Sequence, residues 1–161
     1  MPFTPFHLGP GIALGIIFKR WINIPAILLA SIIVDVRTTY CFFIGNSQLH
    51  GFFHTFAGAT LLGLFVIALV WIFRIHLSKI SKLLKVEQDY SLNSIVSGAL
   101  IGVWVHIILD AFLYPEMHPF WPVKGNTLLL GVLSSSTVYG LCVVGFLVGG
   151  LIYVWKLIRH S

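Results

Sequence analysis

The sequence predicts an all-α fold, a polytopic membrane bundle of about five helices with two short N-terminal segments and three full spans. Three observations carry this expectation. Of 161 residues, 58% are apolar and only 9% are charged, whereas soluble domains carry about 25% charged residues. A chain this small keeps a large surface whatever its fold, so much of that surface must face lipid; the mean hydropathy is +0.96. Apolar runs long enough to cross a bilayer, which takes about 20 helical residues, recur along the chain. Finally, the cations gather in the breaks between those runs. A nucleic-acid binder would carry its net charge, here +5, as a patch on a soluble surface. The bilayer is therefore the expected partner, and nucleic acid is not. One integral membrane domain, residues 1–161, is the natural organisation.

Taken in order, Leu8–Phe18 and Ile22–Val36 are apolar but short, and Lys19 and Arg20 separate them. Pro25 suits a first helical turn, so the pair is expected to form a hairpin of two tilted or shortened spans. Phe52–Ile75 is the first full span. Residues 76–91 (HLSKISKLLKVEQDYS) form a basic, amphipathic connector suited to the membrane surface. Leu92–Leu113 is the second span, opened by the capping residue Ser91 and closed before Pro115. Residues 114–127 hold three prolines and read as an ordered interfacial loop, with Tyr114 and Trp121 as belt aromatics. Ser134–Ser136 reads as a helix start, and Thr137–Trp155, ending on Lys156 and Arg159, is the third span. The pairs Gly11/Gly15, Gly98/Gly102 and Gly145/Gly149 have the spacing that lets helices approach closely in lipid. Cys41 and Cys142 are too far apart to suggest a disulfide framework or a metal spacing. No cation precedes the first apolar run, so a cleaved signal peptide is not expected.

Charge then orients the segments. One set of ends holds Lys19, Arg20, Arg74, Lys79, Lys82, Lys85, Lys156 and Arg159; the other holds only Arg37 and Lys124. Lys/Arg-rich ends stay cytoplasmic. The 76–91 connector is then cytoplasmic, and the N-terminus and the 37–51 and 114–127 loops face outward.

The unusual polar residues fall on that outward side. His7 opens the first segment and Asp35 closes the second; His50 and His54 open the third; His106 and Asp110 close the fourth, with Glu116 and His118 just beyond. Orientation came from Lys and Arg alone, so this convergence is a separate observation. The spacings His50-x-x-x-His54 and His106-x-x-x-Asp110 place each pair on one helical face, a turn apart, as helices do when offering two ligands to one metal. With His7 and Asp35 added, the set is a mixed imidazole–carboxylate shell, enough for one metal or two. Zinc suits these donors, and manganese or iron is compatible with them. A carboxylate near the middle of a membrane helix costs about 2.5–3.5 kcal/mol on insertion scales. At a helix C-terminus, where Asp35 and Asp110 are expected, the helix dipole also disfavours an anion. A bound cation reverses both penalties. His76 and His160 lie on the basic side and read as interfacial residues.

The segments MPFTPFH, HGFFHT and HIILD, in that order, resemble the YdjM-like inner-membrane group of predicted metal-dependent hydrolases over about 130 residues, from His7 to the Pro-rich loop. Members often show His-Arg-Gly before the second histidine; here His50 is followed by Gly51 and Phe52. More distantly, His106-x-x-x-Asp110 is similar to a ligand pair of the all-helical zinc-dependent phospholipase C group. Together the resemblances imply hydrolysis of a phosphoester or lipid-like substrate by metal-activated water. His7, Asp35, His50, His54, His106 and Asp110 are the implied ligand set. Asp35 or Asp110 would accept the proton of the attacking water, with Glu116 as the alternative base. The other reading is a non-enzymatic cation-binding or transport protein, since intramembrane His and Asp also mark ion paths.

Overall fold

The computed structural model describes residues 4–45, 50–126 and 131–159. Among the described residues six α-helices follow one another: α1 (Leu8–Ile17), α2 (Ile24–Ile33), α3 (Asp35–Phe43), α4 (Phe56–Leu83), α5 (Leu92–Ala111) and α6 (Ser135–Arg159). Short 3₁₀ turns at Thr4–His7 and Phe52–His54 precede α1 and α4. Helices α2 and α3 run on as one apolar rod, Ile24–Phe43, which leaves five helical rods. Four of them are long and apolar enough to cross a membrane: Ile24–Phe43, Phe56–Leu83, Leu92–Ala111 and Ser135–Arg159.

Side-chain caps set several of the boundaries. Asn23 accepts from the Ala26 amide at 3.1 Å and Pro25 occupies the first turn of α2, where its missing N–H costs nothing. Thr55 caps α4 through the Gly58 amide at 2.9 Å, Ser91 caps α5 through Ser94 at 3.3 Å, and Ser134 accepts from Thr137 at 3.2 Å ahead of α6.

Helix α5 is the bundle's centre. Half of its span is buried, against 17% of α6; α5 packs on α2 and α4, while α6 packs chiefly on α1. Lipid tails are as apolar as these side chains, so association in the bilayer rests on close packing rather than on hydrophobic exclusion. The glycine pairs supply it. A Cβ at Gly102 would lie 2.6 Å from the Ala30 Cβ and 2.7 Å from the Ile27 carbonyl, and one at Gly145 would lie 2.5 Å from the Gly9 backbone. Beyond these seams, Leu141, Val144, Leu147 and Leu151 of α6 and Leu61, Phe65 and Ile72 of α4 are exposed, as lipid-facing residues are.

The second rod is longer than its sequence suggests. Asp35, Arg37, Thr38 and Thr39 look like a helix end after Val36, yet the helix continues to Phe43. The reason is facial: Asp35, Thr38 and Cys41 turn inward at helical spacing, while Val36, Tyr40, Phe42 and Phe43 face out. Likewise α4 runs unbroken through residues 76–83, the first half of the basic connector.

One end of the bundle is tied by polar contacts among distant segments. The Asn23 amide donates to the Ser94 carbonyl at 3.0 Å, the Ile24 amide to Gln88 Oε1 at 2.7 Å, and the Tyr153 hydroxyl to the Leu84 carbonyl at 2.9 Å. This is the end that carries Lys19, Lys82, Lys85 and Lys156. At the opposite end the Phe56 amide donates to the Pro119 carbonyl at 2.8 Å, and Asn126 Nδ2 to the carbonyls of Ala111 and Tyr114 at 2.6 and 2.8 Å. The Pro-rich loop is thereby fastened over the start of α4 and the end of α5.

Candidate metal centre

Beneath that loop the bundle gathers His7, Asp35, His54, His106 and Asp110, none more than 4% exposed. They come from the turn ahead of α1, from the α2–α3 rod, from the turn ahead of α4, and from the last two turns of α5. One ligand atom from each of Asp35, His54, His106 and Asp110 lies within 4.8 Å of the others, and this buried group can hold a metal ion. His54 Nε2 stands 3.3 Å from Asp35 Oδ1 and 3.8 Å from Asp110 Oδ2; His106 Nε2 stands 3.5 and 3.3 Å from the same two oxygens. A tetrahedral ion with bonds of about 2.0–2.1 Å has ligand–ligand edges of about 3.3 Å, close to these separations.

Hydrogen bonding decides what the nitrogens can do. His106 Nδ1 lies 2.8 Å from the Ser31 carbonyl, which only accepts, so Nδ1–H is the donor. In the neutral ring the lone pair then sits on Nε2, which has no hydrogen-bond partner among the described residues and is buried facing two carboxylates. An acceptor aimed at acceptors asks for a cation or a proton between them. A ligating histidine whose other nitrogen donates to a backbone carbonyl is the usual arrangement around metals. His7 repeats it: Nε2–H donates to Asp110 Oδ1 at 3.1 Å, leaving Nδ1 without a partner 3.8 Å from Asp35 Oδ2. The His7 and His106 rings stack at 3.9 Å. Burial lowers the His54 pKa from its ordinary value, with the Asp35 hydrogen bond opposing the shift, which favours the neutral imidazole that ligates metals.

Two of the expected positions differ in the structure. Asp35 does not end a helix; it lies within the Ile24–Phe43 rod, so the unfavourable C-terminal dipole acts on Asp110 alone. Nor do His50 and His54 share an α-helical face. His54 ends a 3₁₀ turn, and Thr55 is extended because its hydroxyl caps α4, which begins only at Phe56. The two rings meet edge to face at 4.9 Å instead.

His50 and Glu116 stand outside the four-residue group. His50 Nδ1 bonds Glu116 Oε1 at 2.8 Å and its ring stacks on Tyr114 at 4.3 Å. The His50 side chain is buried, whereas that of Glu116 is 54% exposed. Three contributors escape sequence reasoning: the Ser31 carbonyl; Thr38, whose hydroxyl is 3.4 Å from His54 Nε2; and Tyr114. Ser31 and Thr38 sit one turn before and after Asp35, a signal available once the rod is read as continuous. Arg37 does not pair with Asp35; its guanidinium packs where a Cβ on Gly51 would lie. His118 Nδ1 accepts from the Gly125 amide at 2.8 Å within the loop. His76 packs near Phe73 on α4, and His160 lies outside the described residues. Cys41 and Cys142 are both free and buried.

Fold and site together define a polytopic helical membrane protein with a buried His/Asp group fit for a cation. The profile of the YdjM inner membrane protein family matches residues 1–160, and the chain belongs to that family. No curated protein and no solved structure matches it.

Proposed function

We propose that this protein is a membrane-embedded metal-dependent hydrolase in which Asp35, His54, His106 and Asp110 hold zinc, acting on a phosphoester or lipid-like substrate at the outer membrane face. The observation that carries the reading is the unpartnered, buried His106 Nε2 facing Asp35 and Asp110. Two imidazoles and two carboxylates are a donor set that zinc favours, and manganese or iron accept it. With its coordination expanded beyond these four side chains, the bound ion would supply polarisation of a phosphoryl oxygen and a water of lowered pKa.

The chain's own residues divide the remaining work. The Ser31 carbonyl fixes the His106 tautomer, and His7 fixes the Asp110 carboxylate from its other oxygen. Asp35, bonded to His54, accepts a proton from the nucleophile. That proton leaves through solvent at the exposed edge of the site, where Glu116 is hydrogen-bonded to His50. Lys/Arg-rich ends are retained in the cytoplasm, which supports a site on the extracytoplasmic side of the inner membrane. Trp121, 53% exposed and packed edge-on against Phe52 at 5.4 Å, sits at the mouth where acyl chains would lie.

The near-complete burial of the five residues favours a second reading, a cation-binding or transport protein without turnover. Transport needs polar residues continuing through the bundle. Instead Val66, Val70, Ile95, Ala99 and Val103 fill the core on the basic-end side of the site. Metal analysis of the purified protein, with His106→Ala and Asp110→Ala beside it, tests the reading. Stoichiometric zinc in the wild type only, with turnover of a phosphodiester lost in Asp35→Asn, is the expected result. Bound metal without turnover on phosphodiesters or phospholipids selects the second reading, and negligible metal in all three proteins removes both.

A further inference from the structure

At the basic end of the bundle, three lysines from distant parts of the chain converge on one cleft. Lys19 follows α1, Lys85 follows α4 and Lys156 belongs to α6; Ile16, Ile24, Val86 and Tyr153 complete the lining. Lys156 Nζ reaches the Ile16 carbonyl at 3.5 Å, and Lys19 lines the same cleft. No carboxylate of the described residues lines the cleft. Among the described residues, none comes within salt-bridge distance of any of the three ammonium groups; every ion pair found involves a histidine.

Two features set this trio apart from ordinary interfacial lysines. Lys85 is the one described non-glycine residue with positive φ, at 55°, a conformation that costs a side-chain-bearing residue free energy and persists only where its surroundings hold it. Those surroundings are the Tyr153 hydroxyl on the Leu84 carbonyl and the Lys85 amide on the Lys82 carbonyl at 3.0 Å. The cleft is also amphipathic: ammonium groups accompany Ile16, Ile24 and Val86, the pairing a lipid presents where its phosphate meets its acyl chains. Basic clefts between membrane helices on the cytoplasmic side are suited to anionic head groups.

We infer that Lys19, Lys85 and Lys156 form a binding site for the phosphate head group of an anionic phospholipid, separate from the His/Asp group at the other end of the bundle. The apolar wall favours a lipid over free phosphate, which shares the charge but cannot use Ile16, Ile24 and Val86.

Binding of phosphatidylglycerol, of phosphatidylcholine and of inorganic phosphate to the full chain in detergent tests this, read by native mass spectrometry. Each lysine near a membrane anion is worth about a fivefold change in affinity. Lys85→Gln and Lys156→Gln should each weaken phosphatidylglycerol about fivefold, and the triple change with Lys19→Gln should abolish its preference over phosphatidylcholine. Lys156→Arg should retain binding. Lys79→Gln, whose side chain does not line the cleft, should change it less than twofold. Lys85 is exposed on a connector, so its variant reports binding even where Lys156→Gln fails to fold. Equal binding of the two lipids by the wild type, an equal loss in Lys79→Gln, or phosphate displacing the lipid at matched concentration would each overturn the assignment.

Discussion

Asp35 and Asp110 divide their oxygens in the same way: Asp35 Oδ1 and Asp110 Oδ2 face His54 and His106, while Asp35 Oδ2 and Asp110 Oδ1 face His7. Two buried carboxylates so close repel each other unless positive charge lies between them. The paired arrangement offers a four-ligand position on one side and a smaller one, with His7, on the other. A hydrolase with two ions would use both; with one, His7 steadies Asp110 from behind.

This division separates two substitutions. His106→Ala removes a direct ligand and is expected to abolish stoichiometric zinc. His7→Ala removes a supporting partner and is expected to weaken zinc about 10–100-fold, as loss of outer partners does elsewhere. Competition with a chelator of known affinity measures both. Equal losses would place His7 among the direct ligands of the first ion.

Helix packing is testable apart from the site. Gly102→Val drives a side chain into Ala30 and the Ile27 carbonyl, and overpacking of this kind costs about 1–3 kcal/mol. Because α5 carries His106 and Asp110 while α2 carries the Ser31 carbonyl, zinc affinity should fall with it. Gly140→Ala, with nothing within 4 Å of the added carbon, should leave both stability and zinc unchanged. Thermal unfolding in detergent and zinc titration give the two readouts.

Acid should destabilise the metal-free protein through His54. Burial lowers its folded pKa, so the unfolded chain binds the proton first and stability falls as pH drops below the unfolded value of about 6.5. His54→Gln should flatten that part of the profile. Unfolding midpoints between pH 8 and pH 5, in the presence of chelator, would show the difference.

The hydrogen-bonded pair of His50 and Glu116 at the exposed edge of the site predicts a selective effect on turnover. Glu116→Gln leaves zinc content and stability nearly unchanged, since the Glu116 side chain is half exposed and the amide oxygen still accepts from His50. It should lower kcat on a phosphodiester more than it raises KM. An unchanged kcat would remove Glu116 from the proton path.

Much of this was legible in the sequence because lipid simplifies the code. Apolar runs gave the long helices, and the bias of Lys and Arg grouped their ends; the bundle places Lys19, Lys85 and Lys156 together accordingly. What misled was polarity read as a boundary. Thr38 and Cys41 look like the start of a loop after Asp35, yet they are the inner face of a helix that continues to Phe43. The His50–His54 spacing looked helical, but Thr55 is a better helix cap than an interior residue, and it starts α4 after both histidines. Side-chain geometry was out of reach for a different reason. The Ser31 carbonyl that fixes the His106 tautomer is a backbone group, and residue type carries no trace of it.

X-ray absorption at the zinc edge of the purified wild-type protein tests the central claim most directly, because it reads the ligands themselves. Two imidazole nitrogens and carboxylate oxygens at about 2.0–2.1 Å, reduced to a single imidazole in His54→Ala, is the spectrum expected. A first shell of oxygen alone, or a spectrum identical in wild type and His54→Ala, would contradict it.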